Sequence, residues 1–206
     1  MKVNYEIMAD VVDINKDTPS PSDSFFVDTN VWFWMHYTKA SMSSRDKRIK
    51  EYSDYISKSF SNKSILYRNG LSMSELCNKI EDIEREIFEN RTGTKIDPPK
   101  CFRHNYDSEW KNTVGEMQGV WAQVSVMSQD LDYLVNEKNT NDALDQLAEC
   151  RIDPYDLFFL KAMESKRITK IITGDGCFST VSGITVFTAN QAIITMAEQQ
   201  KRLIIR

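Results

Sequence analysis

The sequence has no apolar run long enough to cross a bilayer. Its longest apolar stretches, Phe25-Phe26-Val27 and residues 31–35, are separated by the polar trio Asp28-Thr29-Asn30, whereas a membrane-spanning helix needs about 20 residues. The N-terminal stretch carries Glu6 and Asp10 at positions where a secretory signal peptide has an unbroken apolar segment. We therefore expect a cytoplasmic protein that has no membrane partner.

An excess of positive charge is also missing. The chain has 26 Lys and Arg against 30 Asp and Glu, which gives a formal net charge of −4. A protein that coats DNA or RNA indiscriminately is normally basic, so this balance argues against that class. It does not argue against an enzyme whose bound metal ions supply positive charge at one point.

The common signatures of zinc and nucleotide sites are absent. The four cysteines include no CxxC pair, and Cys101 with His104 is the one local pair that has zinc-like spacing. Because His36 is the only other histidine, neither a complete zinc site nor a Cys–His nucleophile has support. The motifs GxGxxG and GxxxxGK[ST] do not occur, so binding of NAD or ATP has little support.

The remaining composition is that of a globular domain, with 41% hydrophobic and 27% charged residues. The patterns predict strands and helices in alternation, which indicates a parallel sheet covered by helices on both faces. Residues 1–24 are predicted to be a strand or short helix followed by a tether, and 91–112 to be irregular. Strands are predicted at 25–33 (interrupted at Asp28), 64–67, 168–173 and 184–187, and helices at 39–60, 72–90, 113–149 (in two pieces), from Asp153-Pro154 onward, and 190–201.

Four acidic residues fall where such a sheet collects its ligands. Asp28 follows the first confident strand, and Asp175 lies just past the strand at 168–173. Glu75 and Asp156 lie in the predicted first turns of two helices. Because ligands bind at the carboxyl ends of parallel strands, we expect these four carboxylates to converge at one edge of the sheet.

Converging carboxylates repel one another unless a cation lies between them. Mg²⁺ and Mn²⁺ prefer oxygen ligands, and two such ions can activate water for cleavage of a phosphodiester. Each acid also has a simpler interpretation: Asp28 as a helix cap, Glu75 in a capping box with Ser72, Asp156 at a helix N-terminus, and Asp175 as a turn residue.

Four segments in this order resemble the motifs of the PIN-domain ribonuclease family. They are Phe26-Val27-Asp28-Thr29-Asn30-Val31, Ser72-Met73-Ser74-Glu75-Leu76, Asp153-Pro154-Tyr155-Asp156-Leu157 and Ile172-Thr173-Gly174-Asp175-Gly176-Cys177-Phe178. The resemblance implies a three-layer α/β fold with a five-stranded parallel sheet of order 3-2-1-4-5 flanked by helices. It places the nuclease domain at 25–206, after an N-terminal segment and tether at 1–24, with an enlarged helical segment at about 91–149.

The resemblance further implies an endoribonuclease that depends on Mg²⁺ or Mn²⁺. Its metal-binding acids would be Asp28, Glu75, Asp156 and Asp175, while Asn30 and Thr173 would hold the carboxylates and an attacking water. Many small members of the family are toxins that form homodimers and are inhibited by an antitoxin. The expected partners are therefore RNA, an antitoxin protein and a second copy of the chain. Two alternatives stay open: a non-catalytic PIN-like binding scaffold, and a DNA nuclease or phosphatase on a similar sheet.

Positive charge is concentrated between Lys39 and Arg68, where eight basic residues stand against three acids. This stretch is interpreted either as a solvated helix face or as a surface that contacts phosphates. In the second case, Tyr37, Tyr52 and Tyr55 would be available to stack on bases. The segment at 91–149 is interpreted as a substrate lid, a partner surface or a plain structural insertion.

Overall fold

The protein, represented by a computed structural model that describes residues 3–40, 48–147 and 150–206, is built on one parallel β-sheet. The sheet has six strands in the order β1-β6-β5-β2-β3-β4, and each strand runs parallel to its neighbours. The strands are β1 (Asp10–Asp13), β2 (Ser24–Val27), β3 (Ile65–Arg68), β4 (Gln129–Asp130), β5 (Lys170–Ile172) and β6 (Thr185–Thr188).

Helices cover both faces of the sheet. Phe25 and Val27 point into one core, which is completed by the first, second, third and fifth helices, while Phe26 points into the core on the other face. This alternation follows from the two-residue side-chain period of a strand. The described helices are α1 (Thr29–His36), α2 (Arg48–Ser61), α3 (Gly70–Thr92), α4 (Lys100–Asn105), α5 (Asp107–Met127), α6 (Glu137–Leu147), α7 (Pro154–Ser165) and α8 (Gln191–Gln199).

The predicted three-layer α/β class is confirmed, but the prediction of five strands is wrong. The N-terminal segment contributes β1, which pairs with β6 in the register Val11↔Val186 and adds a sixth strand at that edge. The side chains of Val11 and Val12 are buried, so burial of these two residues favours the pairing. The other five strands follow one another as β4-β3-β2-β5-β6.

Several element boundaries differ from the prediction. Helix α3 begins at Gly70, because Asn69 accepts a hydrogen bond from the backbone N–H of Leu71 and forms a capping box with Ser72. Ser72 is therefore the third helical residue, and Glu75 lies in the second turn and not in the first. Within the predicted irregular stretch, α4 forms and α5 begins. Of the helix predicted at 39–60, residues 41–47 lie outside the described part of the chain.

A buried ion cluster lies at the amino end of β2, at the opposite end of this strand from Asp28. The Arg206 guanidinium donates two hydrogen bonds to Asp17, at 3.0 and 2.8 Å, and two to Asp23, at 2.7 and 2.9 Å. Lys170 Nζ donates to Asp23, and Tyr55 donates to Asp17. Burial alone raises the pKa of Asp23, but the hydrogen bonds from Arg206 and Lys170 outweigh burial and hold the pKa below its usual range.

Two further observations concern the chain as a whole. Among the described residues, no helix combines the length and the apolar character that crossing a membrane requires. The four cysteines, at positions 77, 101, 150 and 177, form no disulfide bond within the described residues.

Candidate active site

Asp28 lies at the carboxyl end of β2 and is buried, with 1% of its surface exposed. Its carboxylate accepts the backbone N–H of Asn30 at 3.3 Å and so caps α1, as the simpler interpretation predicted. The same carboxylate also accepts the Thr173 hydroxyl at 2.6 Å and the Asn30 side-chain amide at 3.4 Å. Asp28 therefore has contacts beyond those that a helix cap requires.

Thr173 joins Asp28 to the loop that carries Asp175. The strand register Val27↔Ile172 brings the residues that follow, Asp28 and Thr173, side by side. Thr173 Oγ1 accepts the backbone N–H of Asp175 at 2.9 Å, so the hydroxyl hydrogen is left to be donated to Asp28. One hydroxyl therefore positions two of the four acids.

The ends of β5 and β6 are held together by Tyr52, which belongs to α2 and is buried. Its hydroxyl lies 3.0 Å from the Thr173 carbonyl and 2.8 Å from Thr188 Oγ1, and it accepts the Ala189 N–H at 3.0 Å. Sequence reasoning offered Tyr52 as a residue that could stack on bases and did not identify this role. No local signal marks it, because the three partners are more than 100 residues away along the chain.

Glu75 extends from α3 toward the same edge of the sheet. Its Oε1 lies 3.4 Å from Lys79 Nζ, one helical turn further along. Its Oε2 is buried and has no hydrogen-bond partner among the described residues. A buried carboxylate oxygen without a partner is costly, so this atom is a ready ligand for a cation.

Asp156 lies in the first turn of α7, three residues after the cap residue Asp153, as predicted. Asp153 accepts the backbone N–H of Tyr155 at 2.8 Å, which leaves Asp156 as the acid that belongs to the cluster. The pKa of Asp156 is raised to about 8, mainly by burial and in addition by the charges of Asp28, Asp175 and Glu75.

The pKa of Asp28 is also raised, to about 6. Burial is the main cause, and the charges of Glu75 and Asp175 add to it, whereas the Thr173 hydrogen bond opposes it. Because the charges of Glu75 and Asp175 raise the pKa values of both Asp28 and Asp156, the four carboxylates lie close enough to interact. The structure thus brings together all four acids that the sequence singled out.

We expect Asp156→Asn to stabilise the metal-free protein, and to do so more strongly as the pH rises. The folded-state pKa of about 8 exceeds the unfolded value of 3.8, so ionisation of Asp156 opposes folding. This destabilisation begins near the unfolded pKa and is complete above the folded one. Urea unfolding at pH 9 with EDTA should show a gain of about 2 kcal/mol, after allowance for partial exposure, and no gain near pH 4.

The matched control for this experiment is Asp153→Asn, which removes a carboxylate from the exposed cap of the same helix. Its unfolding free energy should follow that of the unsubstituted protein at both pH values. Equal stability of Asp156→Asn and the unsubstituted protein at pH 9 would contradict the crowding of charges at this site.

The donor set suits a hard divalent cation, because it consists of carboxylates and includes the unpartnered Oε2 of Glu75. Within residues 3–40, 48–147 and 150–206, however, no three His, Cys, Asp or Glu side chains are arranged to hold one ion. Mg²⁺ is usually bound by one or two carboxylates and keeps several waters. The residues therefore fit a cation that is bound by few direct ligands and by the other acids through water.

Two close approaches shape the loop Gly174-Asp175-Gly176. A Cβ atom on Gly174 would lie 2.7 Å from the Trp34 ring, and one on Gly176 would lie 2.6 Å from the Tyr5 ring. Glycine at both positions permits this close packing, because a side chain there would collide with the rings unless they moved. Trp34 and Tyr5 are two neighbours of the site that the sequence did not predict.

The three tyrosines proposed to stack on bases cannot do so. Tyr37, Tyr52 and Tyr55 are 1%, 0% and 2% exposed, so this prediction is wrong. These rings are inaccessible because Tyr37, which directly follows α1, and Tyr52 and Tyr55, which belong to α2, pack into the core.

Only some of the basic residues around these tyrosines are available to contact a phosphate, because others already have partners in the protein. Lys39 binds Glu84 and Glu116, Lys50 binds Asp54, and Arg68 lies over the Trp121 ring with a side chain that is 15% exposed. Lys58 and Lys63 are exposed. Arg45, Asp46 and Lys47, which belong to the same predicted surface, lie outside the described residues, and the side chain of Arg48 is not described.

The enlarged segment is tied to the rest of the protein by ion pairs and a small aromatic core. Arg103 binds the buried Glu81 of α3 at 2.7 Å, and within the segment Arg91 binds Glu109 at 2.8 Å. Phe88, Ile96 and Phe102 form the core, against which Tyr106 and Trp110 pack.

Comparison of the chain with family models, with curated proteins and with solved structures finds no match. The resemblance to the PIN-domain family therefore rests on the four motifs alone.

Proposed function

We propose that the protein is a metal-dependent endoribonuclease that hydrolyses RNA with a water nucleophile. The observation that carries the proposal is the meeting of Asp28, Glu75, Asp156 and Asp175, from four distant segments, at the carboxyl edge of one parallel sheet. Burial and mutual repulsion raise the pKa values of Asp28 and Asp156, and Glu75 Oε2 has no partner in the described part of the chain. Burying several carboxylates together lowers the stability of the folded protein unless a cation binds them.

In this proposal Mg²⁺ or Mn²⁺, when bound, lowers the pKa of water and neutralises the charge that develops on the scissile phosphate. The four carboxylates hold the ion directly or through water. Thr173 donates to Asp28 Oδ2 and accepts from the backbone of Asp175, while Asn30 donates its side-chain amide to Asp28 Oδ2 and its backbone N–H to Asp28 Oδ1. Asp28 is thereby kept in one orientation, which is the requirement for placing a reacting group precisely.

The test is a cleavage panel of single-stranded RNA, structured RNA, single-stranded DNA and p-nitrophenyl phosphate with Mg²⁺, Mn²⁺ or EDTA. We expect internal cleavage of RNA that requires one of the two metal ions and stops with EDTA. Cleavage of DNA, or release of p-nitrophenol, in place of RNA cleavage would support the nuclease or phosphatase alternative. Cleavage that continues in EDTA would contradict the proposal.

A non-catalytic binding scaffold is the second candidate. It is favoured by the observation that no three acidic, His or Cys side chains of the described residues are arranged around one ion. This candidate predicts a correctly folded protein that cleaves no member of the panel with either metal ion. The proposed toxin role, with its antitoxin partner and homodimer, rests on the family resemblance alone, and size-exclusion chromatography with light scattering tests the dimer.

A further inference from the structure

A cavity of about 510 Å³ lies under the N-terminal segment, next to the loop that carries Asp175. Its walls include Asn4, Tyr5 and Met8 from that segment, Cys177 from the short 3₁₀ helix after the loop, and Arg151. The backbone N–H of Cys177 donates to Asp175 Oδ1 at 2.8 Å, so the cavity borders the acidic cluster directly.

The wall of this cavity is held in place by the fold. Gln200 accepts the backbone N–H of Ile7 at 2.8 Å and donates to the carbonyl of Tyr5 at 3.1 Å. The backbone N–H groups of Met8 and Ala9 both donate to the Ser179 carbonyl. The Tyr5 ring lies against Gly176, because only a residue without Cβ permits this approach. Tyr5 is therefore an aromatic surface that is ordered before any ligand arrives.

The chemistry of the cavity suits one nucleotide of a single strand. The partly buried Tyr5 ring and the exposed side chain of Met8 give a flat base an apolar surface to contact. The exposed Arg151 forms no ion pair or hydrogen bond with another described residue. Its guanidinium is thus free to bind a phosphate of the same strand.

The acidic groups around the cavity narrow the choice of ligand. Glu6 also lines it, and Asp175 lies nearby, so a small free anion would be repelled. A base that carries an amino group can instead donate a hydrogen bond to the Glu6 carboxylate, while Asn4 offers both a donor and an acceptor. A nucleotide within a longer strand whose base carries an amino group, as cytidine does, has this combination of amino group, aromatic face and flanking phosphate.

We propose that this cavity is a nucleotide subsite, in which Tyr5 stacks on a base of single-stranded RNA and Arg151 binds a neighbouring phosphate. The inference rests on the proposed nuclease function. A nucleotide bound in this cavity would hold the RNA strand next to the acidic cluster at which cleavage is proposed. It assigns to the N-terminal segment a role in substrate binding in addition to its role in the sheet.

The test measures binding of a fluorescein-labelled ten-nucleotide oligocytidylate by fluorescence anisotropy in Mg²⁺. All variants carry Asp28→Asn, so that the probe is not cut and binding is read without catalysis. We expect Tyr5→Ala to weaken binding about 10-fold and Tyr5→Phe to leave it unchanged, because stacking needs the ring and not the hydroxyl.

Arg151→Gln gives a second reading that does not depend on the packing of Tyr5. Loss of one phosphate contact should make the slope of log K against log salt concentration shallower by about 0.7. The matched control is Arg167→Gln, which removes an exposed arginine near the opposite end of α7 and should leave the slope unchanged.

The outcomes separate this inference from the proposed function. If the protein with native Asp28 cleaves RNA but Tyr5→Ala and Arg151→Gln bind the probe normally, the subsite is wrong and the nuclease proposal stands. If the protein cleaves no RNA but both variants bind the probe more weakly, the nuclease proposal fails and the subsite stands. Absence of any probe binding overturns the subsite.

Discussion

Replacement of Asp28 by Asn is expected to lower the rate of metal-dependent RNA cleavage by about 1000-fold and to leave the fold intact. Asn removes the charge that a cation requires but keeps one oxygen, which can still accept the backbone N–H of Asn30, while its amide nitrogen takes the place of the oxygen that accepts from Thr173 and can donate to the Thr173 hydroxyl instead. Asn also caps helices about as well as Asp, so α1 should keep its start. The measurement is the initial cleavage rate in Mg²⁺, together with the thermal unfolding midpoint.

Asp153→Asn is the matched control, since Asp153 is also an N-cap aspartate whose side chain accepts a backbone N–H at 2.8 Å. We expect it to retain most of the activity. A rate as low as that of Asp28→Asn would mean that Asp153, and not Asp156, is the third acid of the cluster. Full activity of Asp28→Asn would contradict the proposed role of Asp28.

Arg206→Gln is expected to destabilise the protein by about 3 kcal/mol at pH 7, because it leaves two buried carboxylates without their shared cation. The side chains of Asp17 and Asp23 are 3% and 1% exposed, and Arg206 also lies over the Phe187 ring at 4.7 Å. Urea unfolding should show the loss directly, and the thermal midpoint should fall by about 8 °C.

The pH dependence of this effect has a defined sign. The pKa of Asp23 is lowered on folding, so its contribution to stability is present above the unfolded value of 3.8 and is lost as the pH falls through the lower folded value. The difference between Arg206→Gln and the unsubstituted protein should therefore shrink below pH 4.

Arg202→Gln is the control for Arg206→Gln. It breaks an exposed ion pair with Asp10, in which both side chains are 49% exposed and the charged atoms are 3.6 Å apart. Such surface pairs contribute about 0–1 kcal/mol. An equal loss of stability in the two variants would mean that the buried cluster contributes no more to the free energy of unfolding than an exposed ion pair does.

The sequence singled out the acids of the candidate site because each follows a local pattern. Asp28 ends a run of buried apolar residues, and Asp156 follows the Asp153-Pro154 start of a helix. These are short-range signals, and they lead to the carboxyl edge of a parallel sheet by a general rule. The prediction that Glu75 lies in the first turn of its helix is wrong for an equally local reason. Asn69, and not Ser72, caps α3, so Glu75 lies in the second turn.

Other features of the site had no local signal. Strand β4 has two exposed polar residues, Gln129 and Asp130, and forms because α5 returns the chain alongside β3. Tyr5 meets Gly176, more than 170 residues away, only after β1 has paired with β6. A tyrosine near the N-terminus has no property in the sequence that distinguishes it from the buried Tyr52 and Tyr55.

The sequence by itself determined the α/β class and the helix caps Asp28 and Asp153, and it singled out the four acids, because periodicity and capping depend on residues a few positions apart. Only the tertiary structure decided that the N-terminal segment joins the sheet, that three tyrosines of the basic stretch are buried, and that Thr173 binds Asp28. These outcomes depend on register and packing between distant segments. The balance of charge shows the same division: the sequence contains 30 acidic residues, but only folding buries Asp28 and Asp156 so that their pKa values rise, and only folding brings Arg206 to Asp17 and Asp23.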